Sequence, residues 1–214
     1  MSKVTVSVLG SGQVAQVLAL GFQRHGYPVT MGTRSPEKLA AFSAAHGIPA
    51  LEFSAAIGQS EVLVLAVKGT VAEEFVRSVA ADLAGKVVID ATNPIADLPP
   101  RGGVLTYFTA ANESLMERLQ ALAPEAQFVK AFNSVGNPYM VNPQLAGGPP
   151  TMFIAGNSGS AKHTVAGILQ DFGWEAEDMG PAPAAGPIEA LCQLWCARGM
   201  NGKQWNHAFK LLKG

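Results

Sequence analysis

Apolar positions along the chain follow two spacings. Short, nearly continuous apolar runs occupy residues 4–9, 28–31, 62–67, 87–91, 127–131, 152–155 and 174–178. Between them, residues 13–25, 35–46, 71–84, 114–122 and 161–171 carry apolar side chains at helical intervals. Strands that alternate with helices predict an α/β fold, a doubly wound parallel sheet. Strands apolar on both faces fit a sheet covered on both sides. Gly26 and Pro28 end the first helix, because glycine takes the left-handed C′ position and proline cannot continue the turn. Pro124 ends another. The stretch "GPAPAAGP", residues 180–187, is the linker candidate, and a helical tail rich in Leu, Trp and Met is expected over 188–212.

The first strand runs into a glycine turn. "VTVSVLGSGQVAQVLALGF" is a strand, then G-x-G-x-x-A, then a helix. In such a turn Gly10 permits the tight bend and Gly12 lets backbone approach a pyrophosphate. Ala15 keeps helix and strand close. The helix start, Ser11, Gln13 and Val14, offers unpaired amides and a partial positive charge. The pattern predicts a Rossmann dinucleotide-binding domain over residues 1–180, with 181–214 as linker and short C-terminal helical extension.

The end of the second strand selects the dinucleotide. No Asp or Glu precedes Glu37. No carboxylate is therefore at hand for the 2′-hydroxyl of NAD. "TRSPEK" instead offers the guanidinium of Arg34, the hydroxyls of Thr33 and Ser35, and Lys38 one helical turn later. The cluster is expected at a helix N-terminus, which itself favours an anion. These groups predict a 2′-phosphate, and so NADP(H).

Ligands of open parallel sheets bind beyond the C-terminal strand ends. Those ends read "AVKGT", "DATNPI" and "AFNSVGNP". Ala66, Val67 and Lys68 are expected beside the cofactor. Asn93 and Asn133 bear amides suited to carboxamide, ribose or substrate groups. Both asparagines are also placed where turns form. His25, His46, His163 and His207 fall away from the main strand ends, and no metal-ligand spacing or G-x-S-x-G nucleophile elbow appears. The chemistry is therefore expected from the cofactor, with no protein catalyst or metal assigned.

Composition narrows the partners. A formal charge of -1 gives no reason to expect nucleic acid or an anionic membrane. No apolar run approaches the roughly 20 residues of a membrane span. A soluble, cytoplasmic protein is expected. Cys192 and Cys196, four residues apart, would share a helix face as buried thiols, with a regulatory disulfide as the alternative.

"SVLGSGQVAQVLALGFQRHGYPVTMGTRSPEKL", "VVIDATNPI" and "VKAFNSVGNP" together resemble NADP oxidoreductases dependent on a deazaflavin coenzyme (factor 420). They also resemble the cytosolic reductase domain of the six-transmembrane ferric reductases of animals. The resemblance implies NADPH held by Gly10, Gly12, Thr33, Arg34 and Lys38, and hydride passed to a flavin or deazaflavin ring. Two other readings compete. One is an NADP(H)-binding sensor without turnover. The other is a small hydroxyacid or imine reductase, because Gly199, Lys203 and Asn206 share the G-x3-K-x2-N spacing of a β-hydroxyacid dehydrogenase helix. The tail residues Leu191, Leu194, Trp195, Met200 and Trp205 are expected to form a homodimer contact.

Replacing Arg34 with Ala is expected to weaken NADPH by about 1.5–3 kcal/mol, the range for a hydrogen bond to a charged group. NADH binding should hardly change. Titrating both cofactors against the variant checks this, and equal losses would show that Arg34 does not read the 2′-phosphate.

Overall fold

Six short strands pair in parallel in the computed structural model, which describes residues 3–214. They are β1 (Val6–Leu9), β2 (Val29–Thr33), β3 (Ala50–Glu52), β4 (Val62–Leu65), β5 (Val87–Asp90) and β6 (Gln127–Lys130), in the order β3-β2-β1-β4-β5-β6. The helices are α1 (Gln13–Arg24), α2 (Ala40–His46), α3 (Phe53–Gly58), α4 (Gly69–Val79), α5 (Leu115–Leu122), α6 (Gly159–Asp171) and α7 (Ala185–Gly202). A separate parallel pair, β7 (Thr151–Ile154) and β8 (Glu175–Asp178), flanks the sheet.

Period-two alternation divides the strand residues between two cores. Val6, Val8, Val64, Ile89 and Val129 join α1 and α6 on one face. Leu9, Leu63, Leu65, Val88 and Phe128 join α3, α4, α5 and α7 on the other. The expected doubly wound fold is thus present. The strand order reverses between β1 and β4, and the glycine turn leaves β1 at that switch point. Ser7, a polar residue inside the sheet, is satisfied by donating to the Ala56 carbonyl at 2.8 Å and by Ser60 Oγ at 2.7 Å.

Several elements differ from the sequence expectation. β3 and α3 had no sequence signal, since a three-residue edge strand and a six-residue helix are too short for a period to register. β7 does not extend the main sheet in parallel. It meets β6 through one antiparallel bridge, Lys130 with Ala155. The intervening segment, 131–150, contains Pro138, Pro143, Pro149 and Pro150, which prevent the crossover helix a parallel return needs. The 180–187 stretch forms a 3-10 turn (Ala182–Ala184) and the first residues of α7, with Ala182 and Ala185 buried. The tail is helical only to Gly202. Lys203 then adopts φ 52, and the following residues turn back without regular secondary structure, contrary to the helix expected through 212. Among the described residues no helix is long and apolar enough to cross a membrane.

A charged cluster fastens α7 to the sheet. Lys130 Nζ, at the end of β6, is fully buried between Asp90 Oδ2 at 2.6 Å and Glu189 Oε1 at 2.8 Å. It also donates to the Thr92 carbonyl at 2.9 Å. Burial works against the ammonium charge, but the two carboxylates outweigh it and hold the Lys130 pKa above the ordinary lysine value. Glu189 turns its other contacts to α5: Oε2 accepts from the Leu115 amide at 2.9 Å and Oε1 from the Met116 amide at 3.1 Å. Ser114 and Glu117 complete that helix start as a reciprocal capping box. The amides of Ser114, Leu115, Met116 and Glu117 are therefore all satisfied.

Removing Glu189 leaves a buried ammonium with one carboxylate and the Thr92 carbonyl, and two unpaired helix amides. Glu189→Ala is expected to destabilise the fold by about 3–5 kcal/mol, the range for breaking a buried ion pair. Urea unfolding measures it. A loss under about 1 kcal/mol, typical of an exposed pair, would show that this cluster does not hold α7.

Candidate functional site

The glycine turn has the shape of a phosphate cradle. Gly10 takes φ +144, and a Cβ there would lie 2.4 Å from the Ala66 carbonyl oxygen, so both backbone and packing require glycine. Gly12 differs. Its φ of -76 suits any residue, and nothing lies within 4 Å of the position its Cβ would take. The protein's own packing gives no reason for a glycine there, whereas a ligand approaching the backbone does. Gly12 caps α1 without a side-chain hydrogen bond, and no acid occupies the first turn. The first amides of α1 thus carry their partial positive charge toward open space. Ser11, Gly12 and Gln13 are exposed and Val14 is half-buried, while Ala15 is fully buried against the sheet.

Neighbouring strand ends lie level with this turn. The Gly10 amide donates to the Gly32 carbonyl at 2.9 Å, and the Ala66 amide to the Leu9 carbonyl at 2.9 Å. Thr33 and Arg34 follow directly. Thr33 is buried, and its Oγ1 accepts from the Ser35 amide at 3.3 Å. Arg34 and Lys38 are exposed, with no ion pair to either among the described residues. One detail is corrected. Residues 36–39 form a 3-10 turn before α2 begins at Ala40, so Arg34 and Lys38 do not share an α-helical face at the start of a helix. Arg34 precedes the turn and Lys38 lies within it. The missed strand β3 also sets Glu52 in register with Thr33, one strand farther from the glycine turn.

The remaining strand ends carry amides and one surface ion pair. Ala66 and Val67 are half-buried at the end of β4. Lys68 caps α4 and pairs with Asp97, both largely exposed. Asn93 and Asn133 meet after β5 and β6. Asn93 Nδ2 donates to the Asn133 carbonyl at 2.8 Å, and Asn133 Nδ2 donates to Asn93 Oδ1 at 3.1 Å. Asn133 Nδ2 also reaches the Ile188 carbonyl of α7 at 3.0 Å, leaving its buried Oδ1 without a partner. Phe132, immediately before, holds φ 63 in the left-handed region while fully buried. A bulky residue there carries strain of about 1–3 kcal/mol and commonly marks a functional turn.

Sequence reasoning assigned roles to the two asparagines but none to the charges behind them. Asp90, Lys130 and Glu189 support the Asn93–Asn133 pair through β5, β6 and α7. A signal existed. Asp90 and Lys130 interrupt apolar strands, and Glu189 is the one acid after Asp178. Their pairing across distant segments was not readable. The structure separates the G-x3-K-x2-N residues: Gly199 lies on α7, whereas Lys203 and Asn206 lie beyond its end. They do not present one helix face. Cys192 is buried, and its Sγ is 4.0 Å from that of half-buried Cys196. The Cys196 thiol and burial push Cys192 up, and the same contact holds Cys196 below the usual thiol value.

The family described as NADP oxidoreductase, coenzyme F420-dependent, matches residues 5–94, from β1 through Asn93. Metalloreductase STEAP3 of Rattus norvegicus is 30% identical over 188 residues, covering 87% of this chain and 36% of that protein. The chain thus spans little more than a third of the curated relatives it matches. Among solved structures, a candidate F420-dependent NADP-reductase from Arthrobacter sp. FB24 has a TM-score of 0.90 at 29% identity, over 98% of this chain and 100% of that one. A hypothetical protein from Sinorhizobium meliloti has a TM-score of 0.76 at 28% identity, over 88% and 90% of the two chains. Both resemblances drawn from the sequence reappear in these matches, which support an NADP-dependent oxidoreductase.

The open space at Gly12 generates a specific expectation. Valine fits its backbone angles and no protein atom lies within 4 Å of its Cβ, so Gly12→Val should fold normally while its side chain occupies the space before the helix start. Loss of NADPH binding in a calorimetric titration, with the thermal midpoint kept, is the expected outcome. Unchanged binding would make the turn purely structural.

Proposed function

We propose that this chain is an NADP(H)-dependent oxidoreductase that passes hydride between NADP(H) and a flavin-like or deazaflavin acceptor. The observation that carries this reading is the uncapped, open start of α1 at Gly12, beside a strand end bearing Arg34 with no acid in the sequence before Glu37. The amides of Ser11, Gln13 and Val14 hold the pyrophosphate. Thr33, Arg34, Ser35 and Lys38 surround the 2′-phosphate, Arg34 with a planar fork and Lys38 as a point charge. Ala66, Val67 and Lys68 border the cofactor across β4. Asn93 and Asn133 lie near the hydride-transfer site and orient the reacting rings.

The nicotinamide supplies the hydride when bound. The protein's part is to set distance and orientation between two rings and to keep water out. The Asn93–Asn133 pair suits that task, because its amides are fixed to each other and to α7. The family description and the reductase names of the relatives agree with this assignment. We further propose the division at residue 180 as a functional one, residues 1–180 holding the cofactor and 181–214 bordering the acceptor. A cytoplasmic setting and a homodimer complete the reading.

Steady-state NADPH oxidation with riboflavin, FMN, FAD, a deazaflavin and a ferric chelate tests the activity. Turnover with at least one ring acceptor is expected. Saturable NADPH binding with no oxidation by any of them would favour the sensor reading. For the dimer, truncation after Pro187 is unsuitable, since it removes Glu189 and the buried Trp195. Leu194 is 60% exposed on α7, so Leu194→Glu is the cleaner probe. Sedimentation should show a dimer for the parent chain and a monomer for this variant. A monomeric parent at micromolar concentration would rule the dimer out.

A further inference from the structure

Two thiols on α7 take no part in the proposed cofactor site. Cys192 and Cys196 stand one turn apart on the helix, with Sγ atoms 4.0 Å from each other and no disulfide between them. Their surroundings differ. Cys192 is buried, and the Tyr107 hydroxyl faces it from the loop before α5. Cys196 is half-buried, so a small reagent reaches it from solvent. The contact with Cys196, and then burial, push the Cys192 thiol up. The same contact, with Cys192 as donor, holds Cys196 below the usual thiol value against its own burial. One sulfur therefore keeps its proton inside the protein, and the other carries the charge where solvent meets it.

We propose that Cys196 is a site of oxidation by hydrogen peroxide, and that Cys192 resolves it as a disulfide within α7. The Cys196 thiolate attacks a peroxide oxygen. An S–O bond forms, the O–O bond breaks, and the hydroxide that leaves takes up a proton as water. Sulfur is oxidised to the sulfenic acid and the peroxide is reduced. The Cys192 sulfur, already beside it, then attacks Cys196. The S–O bond breaks, and the hydroxyl departs with the Cys192 proton as a second water.

The new bond acts on the fold. Helix residues four apart hold their Cβ atoms about 5–6 Å from each other, whereas a disulfide needs about 3.5–4.5 Å. The turn from Cys192 to Cys196 must shift as the bond closes. The start of α7 is held by Glu189, through Lys130 and the α5 amides. The shift therefore falls on the later turns, which seat the segment after the helix. Trp195 Nε1 donates to the His207 carbonyl at 2.8 Å, and the Trp205 ring packs on that of Trp195 with centroids 5.2 Å apart. A Cβ on Gly199 would lie 2.3 Å from the Trp205 ring, so this packing has little slack. Oxidation at Cys196 thus loosens residues 203–212 from α7. None of this depends on the cofactor reading.

Intact mass of the full chain, after hydrogen peroxide and then alkylation of free thiols, tests the chemistry. The parent should lose two hydrogens and take up no alkyl group, and dithiothreitol should restore both thiols. Cys192→Ser should stop at one added oxygen, trapped by dimedone at Cys196. Cys196→Ser should react at least about tenfold more slowly, since its remaining thiol is buried. Cleavage by trypsin after Lys203 and Lys210 should quicken severalfold in the oxidised parent and return with dithiothreitol, but not change in Cys192→Ser. Thermal midpoints of the reduced proteins check folding, and the parent's mass alone keeps the test decisive if Cys192→Ser does not fold. Two free thiols after a peroxide dose that oxidises free cysteine would overturn the proposal. So would added oxygens without loss of hydrogens, or a disulfide that joins two chains. A disulfide within α7 that leaves cleavage unchanged would overturn the loosening.

Discussion

A fully buried ammonium group governs how this molecule is put together. Lys130 emerges from the end of the last strand of the sheet order, yet is fully buried, where an unpaired charge would be prohibitive. Its neutralisation by Asp90 and Glu189 therefore has to be satisfied geometrically. Asp90 comes with the neighbouring strand and is already oriented, its Oδ1 accepting from the Thr92 amide at 2.9 Å and hydroxyl at 2.6 Å. Glu189 comes from the last helix. That requirement fixes where α7 docks, and α7 in turn fixes Asn133 through the Ile188 carbonyl. Two carboxylates against one ammonium leave an excess negative charge, which faces the amide end of α5, where a helix favours it.

The other half of the crevice has the opposite electrostatic character. Around Gly12 and Arg34, positive charge comes from an uncapped helix start and from exposed cations, and no ion pair to Arg34 or Lys38 forms among the described residues. A protein that satisfied its own charges so completely at Lys130 leaves these groups directed outward. The contrast separates architecture from recognition. Buried charges are closed among themselves and hold elements in place. Exposed ones at the strand ends are left without such partners among the described residues.

The family match covers residues 5–94, the half that carries the glycine turn and the β2 cluster. The later half contributes Phe132, Asn133, α7 and the segment that follows it. Strain at Phe132 and the left-handed turn at Lys203 both fall in this half. Each places a side chain that regular structure would have directed elsewhere: the first sets Asn133 against Asn93, the second folds Trp205 onto Trp195.

What the sequence alone determined was local. The alternation of strand and helix periods, the G-x-G-x-x-A turn, and the absence of any acid before Glu37 all depend on neighbours a few residues apart; the doubly wound sheet and the strand–turn–helix at Gly10 stand where expected, whereas Arg34 and Lys38 flank and enter a 3-10 turn instead of a helix start. Spacing could not reveal β3 and α3, which are shorter than a readable period, or the end of α7 at Gly202, where packing of Trp205 on Gly199 draws the chain back. Nor could it pair Glu189 with Leu115, 74 residues away, or join Lys130 to both carboxylates. Those contacts follow from burial: only once the sheet and helices enclose Lys130 does an isolated acid in an apolar tail become the partner that a charge inside the protein requires.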